Sequence, residues 1–391
     1  MTEALFLYNI NIYKPREYFF RGVLPLTQRE REILQFLQEN PMISQQELAD
    51  HMGITRSAAG VHISNLIKKG YIAGRGYVFR PAGYTLVVGG VNVDIGGSSF
   101  APLIPGDSNP GHISVSLGGV GRNIAHNLAL LGRDVRMLTA YGDDLYGEKI
   151  TESCRRLGID LRDALKVPDG STSIYLYIAG SEGDMTLAMS DMEICRKITP
   201  AYLAEKKQVL QNARVVLMDA NLSPDTMAYL VENSTAPVFA DPVSAAKADK
   251  LLPFLSRVHT LKPNRAEAEK LTGIRIRTRE DAAKAAEQLL SRGVQRVFLS
   301  LGAEGVYAAG KNEACFLPAY AGNMISTTGC GDAFTAALVW AWLEDFGLRE
   351  SACAGIAAAS IAMESRETVN PAMCAAGLQN RMKQILKSKK C

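Results

Sequence analysis

The chain has no apolar run close to the roughly 18 residues that a membrane span needs, and its cysteines are few and scattered. There are seven among 391 residues, and no two form a Cys-x-x-Cys pair. They therefore read as reduced thiols of a cytoplasmic protein, neither zinc ligands nor a disulfide frame. The apolar N-terminal patch Ala4-Leu5-Phe6-Leu7-Tyr8 has no basic stretch before it and no small-residue cleavage site, so no secretory leader is expected. A formal net charge of +3 excludes bulk attraction to nucleic acid. What remains is ordinary for a globular protein: 47% apolar and 21% charged residues. The length suits one large α/β domain and a small companion.

The charge is unevenly placed. Residues 1–80 hold ten Lys and Arg against seven Asp and Glu, leaving the remainder balanced at 33 of each sign. From Thr55 to Arg80 there are five cations (Arg56, Lys68, Lys69, Arg75 and Arg80) and no acid. Residues 1–26 show no period and read as an N-terminal arm. Thr27-Gln28-Arg29-Glu30 and Ser44-Gln45-Gln46-Glu47 are capping boxes, each opening a helix. Ile33, Leu34 and Leu37 form one apolar face. Gly53 makes a turn, and Thr55 caps a third helix carrying Val61, Ile63, Leu66 and Ile67. Gly70 to Phe79 reads as a two-stranded hairpin. Three helices and a hairpin over 27–80 resemble a winged helix-turn-helix. That resemblance implies DNA contact through Arg56, Lys68, Lys69 and Arg75, with a docking module as the alternative. A homodimer would supply the avidity that one such module lacks.

After a Pro81-Ala82-Gly83 linker, apolar strands alternate with helical stretches. Strands are expected at 84–90 (ending in two glycines), 135–138, 215–218, 237–240, 260–261, 297–300, 306–308 and 315–318. The alternation predicts a parallel sheet covered on both faces, with ligands at the strands' C-terminal ends. The stretch Ser326-Thr327-Thr328-Gly329-Cys330-Gly331-Asp332 organises this part. It opens an apolar helix from Ala333 to Leu343, so unpaired N–H groups and the helix dipole favour an anion there. Gly329 and Gly331 admit a close approach, and the dipole predicts an ionised Asp332. The same residues also fit a plain strand-to-helix turn. Gly118-Gly119-Val120-Gly121-Arg122-Asn123 opens another helix; Ile124 stands where a dinucleotide fingerprint needs its third glycine. Asn264 and Glu267 have the spacing of a capping box and equally that of a metal-and-phosphate element. Gly305 to Lys311 matches a P-loop only in part. Asn312 replaces the needed Ser or Thr, so Gly310-Lys311-Asn312 reads as a hairpin turn.

Together the Gly-x-Gly-Asp loop, the Gly119–Asn123 segment, the Asn264–Glu267 element and Ser300-Leu301-Gly302-Ala303-Glu304-Gly305 resemble the PfkB (ribokinase-like) carbohydrate kinases. The likeness spans about 84–385. It implies a ribokinase-like α/β kinase domain with a small β lid near 92–116 and 171–189. It further implies that Asp332 is the base, and that Gly329, Cys330 and Gly331 form the anion hole. Asn92, Asp94, Gly119 and Asn123 would then touch substrate, Asn264, Ser300, Gly302 and Gly305 ATP, and Glu267 Mg²⁺. Ser326 stands where many members carry an Asp that helps hold a monovalent cation, which leaves potassium dependence open. Asp107-Ser108-Asn109-Pro110-Gly111, Asp241-Pro242-Val243-Ser244 and the 259–269 segment resemble the pseudouridine kinase branch. There Ser108 and Asn109 would lie in the lid over a nucleoside. The implied activity is ATP-dependent phosphorylation of a nucleoside 5′-hydroxyl. The alternatives are another PfkB sugar or nucleoside kinase, or a transcription regulator using the domain as a ligand sensor.

Overall fold

The computed structural model describes residues 26–72, 83–182, 184–320 and 322–387. The chain forms two compact units, one ending at Gly83 and one beginning at Tyr84. In the first, α1 (Gln28–Glu39), α2 (Gln45–Met52) and α3 (Arg56–Lys68) follow their caps at Thr27, Ser44 and Thr55. Ile33, Leu37, Leu48, Ala59, Ile63 and Leu66 close a small core of their own. Each buried Ile or Leu among them contributes about 1.5–3 kcal/mol. Val61 and Ile67, expected on the apolar face, are instead 59% and 48% exposed. The helix turns them away once Ile63 and Leu66 fill the seam.

Lys69 is likewise not presented outward. Its Nζ donates to Glu30 Oε2 at 2.7 Å, and both side chains are largely buried. Burial would raise the Glu30 pKa, but Lys69 and the Thr27 cap more than offset that and hold it below the ordinary value. Lys69 is thus structural here, whereas Arg56 and Lys68 are exposed. The expected hairpin beyond Ile72, with Arg75 and Arg80, lies outside the described residues.

In the second unit, β1 (Thr85–Val88) is followed by β2 (Asn92–Ser99) and β3 (Gly111–Gly118). Then come β4 (Val135–Leu138), β5 (Ala140–Gly142), β6 (Leu165–Val167), β7 (Ile174–Ala179) and β8 (Met185–Asp191). The main sheet continues with β9 (Val215–Asp219), β10 (Val238–Asp241), β11 (Thr260–Leu261), β12 (Arg296–Ser300), β13 (Val306–Gly310) and β14 (Ala314–Leu317). Its order is β14-β13-β12-β11-β10-β9-β1-β4. Six strands are parallel, but β13 and β14 run antiparallel at one edge, so the sheet is mixed where a parallel one was expected. The turn between them covers Lys311-Asn312, and β13 occupies the middle of the would-be P-loop.

Helices α4 (Val120–Leu130) and α5 (Leu145–Arg156) pack on one face. The chain then crosses over with α6 (Pro200–Glu205), α7 (Lys207–Gln211), α8 (Pro224–Asn233), α9 (Ala245–Ala248), α10 (Arg265–Thr272) and α11 (Arg279–Ser291). It returns with α12 (Cys330–Leu343), α13 (Leu348–Ala362) and α14 (Ala375–Lys387). The strand order reverses between β1 and β9, where a doubly wound sheet opens a crevice. Helix α12 is apolar almost all round, so it is buried between α4 and α13, with Trp340 fully enclosed. A separate four-stranded sheet, β3-β2-β7-β8, lies where the lid was expected. Among the described residues no helix is long and apolar enough to cross a membrane.

Candidate active site

The crevice is pinned by a carboxylate that the sequence reading passed over. Asp219 ends β9, is fully buried, and accepts from Gly90 N at 2.8 Å, Gly121 N at 3.0 Å and Asn221 N at 2.9 Å. Burial still raises its pKa, against those hydrogen bonds. A Cβ at Gly89 would lie 2.4 Å from its Oδ2, so the glycines at the tip of β1 are there to admit this side chain. Gly119, at φ 98°, brings α4 so close that a Cβ would fall 2.6 Å from Gly90 O.

Across the crevice, Gly329 caps α12 at φ 79°, with no side chain bonding the first turn. By contrast, capping boxes close the N-termini of α1, α2, α10 and α11. Cys330 N donates to Thr327 O at 3.4 Å, while the N–H groups of Gly331 and Asp332 in the first turn are left for a ligand. Gly331 is exposed, and Asp332 is half-buried beside it. Asn123 Nδ2 donates to Asp332 Oδ2 at 2.9 Å, joining the two glycine-rich motifs through space.

Asp332 does not behave as the dipole argument predicted. Its pKa rises to about 7, first through burial and then through Asp241; Asn123 and Lys262 oppose the rise. The local dipole is outweighed by burial and, after it, by a second carboxylate brought in from β10. That value suits a base working near neutrality.

Asp241 and Lys262 lie in segments quoted above for their resemblance alone, with no role given to either residue. Asp241, at the end of β10, accepts from Thr335 Oγ1 at 2.9 Å and lies 3.4 Å from Lys262 Nζ. A Cβ on Gly331 would sit 3.2 Å from that ammonium, so Lys262 underlies the Gly329–Asp332 loop. Burial lowers the Lys262 pKa, but Asp241, Glu267 and Asp332 more than compensate and keep it charged. Their position at the ends of parallel strands was the available signal for Asp219 and Asp241.

Arg122 was also missed. It is buried, donates to Leu117 O at 3.1 Å, Ser153 Oγ at 3.0 Å and Asn123 Oδ1 at 3.4 Å, and so turns the Asn123 amide toward Asp332. Among the described residues it has no carboxylate within ion-pair distance.

On the lid side, Asn92 Nδ2 donates to Asp94 Oδ1 at 2.5 Å. Burial raises the Asp94 pKa, against Asn92 and Arg122. Asp94 is in the same neighbourhood as Asn123; Ser108 and Asn109 are not. Ser108 is exposed in the β2–β3 loop, and Asn109 is spent on that loop, bonding Ile104 N, Ile104 O and Asp107 O.

At the far ends of β11 and β12, Asn264 and Ser300 are bridged. Gly302 and Gly305 flank a single helical turn, and a Cβ on Gly305 would lie 2.1 Å from Leu317 O. Glu267 completes the capping box: its oxygens accept from Asn264 N and Asn264 Nδ2, each at 2.8 Å. It is buried, and burial lifts its pKa against the pull of Lys262. Among the described residues no three His, Cys, Asp or Glu converge as a metal cage.

The comparisons agree with this geometry. The pfkB family carbohydrate kinase pattern matches residues 84–373, and a winged helix-turn-helix DNA-binding pattern matches 26–73. A sugar kinase of Escherichia coli K12, YeiI, described as uncharacterized, is 40% identical over 352 residues, covering 90% of this chain and 97% of its own length. The pseudouridine kinase of the same organism is 40% identical over 294 residues, covering 75% of this chain and 94% of its own. The structure of Arabidopsis thaliana ribokinase, complexed with ribose and ATP, superposes with a TM-score of 0.70 at 23% identity. It covers 78% of this chain and 99% of that one.

Proposed function

The chain belongs to the pfkB family of carbohydrate kinases, carries an N-terminal winged helix-turn-helix, and is thus a sugar or nucleoside kinase; from that premise we propose that it phosphorylates the 5′-hydroxyl of pseudouridine with ATP. The observation that carries the chemistry is Asp332, held by Asn123 at the uncapped start of α12. The carboxylate orients the attacking hydroxyl and takes its proton, while the N–H groups of Gly329, Cys330 and Gly331 meet the charge on the transferred group. Lys262 adds a positive charge beneath that loop. Asp94 accepts from the sugar hydroxyls, being acceptor-only when ionised. Gly119 and Asn123 place the sugar against Asp332. The ribokinase captured with ATP supports ATP as donor, received around Asn264, Ser300, Gly302 and Gly305. Glu267 has two accepted hydrogen bonds on a carboxylate with about four acceptor positions, so a hydrated Mg²⁺ fits beside it. When bound, that ion neutralises phosphate charge.

The pseudouridine kinase relative supports the nucleoside. Pseudouridine presents N1–H where uridine presents C5–H, and a site that pairs with the N–H leaves an acceptor bare when uridine binds. We expect kcat/KM for pseudouridine to exceed that for uridine at least about tenfold, and ribose to rank lower still. A nucleoside and sugar panel with ATP·Mg²⁺, read by mass spectrometry, checks this. Faster turnover of ribose, or equal turnover of uridine, would move the assignment to another sugar or nucleoside of the family.

The N-terminal module is read as a DNA binder, and the whole chain as a homodimer. Ser57, Val61, Ser64 and Lys68 are spaced along one exposed face of α3, with Arg56 beside them. The outer face of the lid is apolar and exposed at Ile113, Val115, Leu176, Ile178, Leu187 and Met189, which suits a second copy of this chain. Full-length protein should scatter light as twice 42.4 kDa and hold duplex DNA with affinity that falls as salt rises. Replacing Arg56 and Lys68 by alanine should flatten that log–log slope by about two units per module. A monomer that shows no salt-dependent DNA retention would reduce the module to a docking domain.

A further inference from the structure

The inner face of the lid carries two tyrosines for which the chemistry above has no use. Register places Ser116, Asp94, Tyr175 and Ser190 in one rank across β3, β2, β7 and β8. The next rank on the same face is Ser114, Gly96, Tyr177 and Ala188. The two rings are half-buried, with centroids 6.1 Å apart and planes inclined by 37°. Tyr177 does not stand upright from its strand. Its hydroxyl end lies across β2 so closely that a Cβ on Gly96 would come within 2.4 Å of the ring. A glycine in the middle of a strand weakens pairing, and this one creates the notch into which the ring folds.

We propose that Tyr177, backed by Tyr175, is the platform on which the nucleobase of the substrate stacks. The inference rests on the reading of Asp94 as the sugar-hydroxyl acceptor. Tyr177 pairs two residues beyond Asp94 along β2, about 6.6 Å at ~3.3 Å per residue, on the same face. A ribose held at Asp94 therefore directs its base along the strand toward that ring. Offset stacking serves any aromatic base, because every base offers a π-face. The platform thus separates nucleosides from free pentoses and leaves the choice among bases to hydrogen-bonding groups. The ligand class it selects is the aromatic-base ribonucleoside.

The test uses the full chain and compares kcat/KM for pseudouridine, uridine and ribose at saturating ATP·Mg²⁺ in Tyr177→Ala, Tyr177→Phe and Gly96→Ala. The first removes the ring, the second keeps it, and the third displaces it without touching it chemically. We expect Tyr177→Ala and Gly96→Ala to lower the nucleoside-to-ribose ratio roughly tenfold, within what base–aromatic stacking supports, mainly through KM. Tyr177→Phe should hold the ratio within about threefold, since the π-face survives. An unchanged ratio in Tyr177→Ala, with wild-type melting behaviour, would show the ring to be only a brace for the Gly96 strand. Equal losses on nucleoside and ribose would show a general role in lid packing. Either result overturns the platform alone. A wild-type enzyme that prefers ribose would remove the nucleoside reading and the platform together.

Discussion

Asp332→Asn is expected to lower kcat by roughly 10²–10⁴, with KM for nucleoside and for ATP held within about threefold. The substitution keeps the shape and the neighbours of the side chain but removes the acceptor that orients and deprotonates the hydroxyl. The expected pH dependence follows from the raised pKa of about 7. Below that value the carboxyl is protonated and cannot accept, so kcat/KM should fall by about tenfold per pH unit on the acid side. Above it the rate should level off. The cause is identifiable: burial and the nearby Asp241 disfavour the charged form. Single-turnover rates between pH 5.5 and 8.5 separate the chemical step from product release. Near-normal turnover in the variant, or a wild-type chemical step flat across that range, would remove Asp332 from the role of base.

Gly329→Ala should be nearly as damaging by a different route. Gly329 sits at φ 79°, and a Cβ there would lie 1.8 Å from the carbonyl oxygen of Thr368. The left-handed backbone alone costs about 1–2 kcal/mol for alanine, and the clash forces the loop to move. A displacement of about 1 Å in a group that receives transferred charge costs on the order of 10²-fold in rate. We therefore expect kcat to fall by about that factor, together with a lower Tm. Gly158 is the control, with φ 70° and nothing within 4 Å of its missing Cβ. Gly158→Ala should lower Tm by a similar strain while leaving kcat alone. If Gly329→Ala keeps its turnover, the loop is a turn and not an anion hole.

What the sequence made legible is local chemistry. The caps at Thr27, Ser44, Thr55 and Asn264 are read from spacing alone, because an N-cap is closed within four residues. The Gly-Cys-Gly-Asp loop at the start of an apolar helix is equally local. The strands near 135–138, 215–218 and 297–300 stand out because a doubly covered strand is continuously apolar. What stayed hidden is non-local. Asp219, Asp241 and Lys262 look in sequence like polar residues closing apolar strands, and their meaning depends on which loops the sheet order brings beside them. The raised Asp332 pKa was hidden for the same reason: the helix dipole is visible in the sequence, but the burial and the Asp241 charge that oppose it are set by the fold. Lys69 looked like a DNA contact until Glu30, on another helix, was found to hold it. Glu267 remains a capping residue by geometry, and nothing in its spacing alone distinguishes a cap from a metal ligand.

The Asp219 hub also bears on how the cleft shuts. Gly90 lies just before β2 and Gly121 just after β3, and one buried carboxylate grips both. The two roots of the β2–β3 hairpin are thus tied to one side chain, which fixes their spacing at the crevice. Displacement grows with distance from a pivot. If the hairpin turns about that point, Asp94, two residues past the start of β2, is the residue that would move least, the rank of Gly96 and Tyr177 further, and the β2–β3 loop with Ser108 furthest. On the proposed reading, the sugar end of the site would then be built before the substrate arrives, and the base end would be assembled around it by a turn of the hairpin.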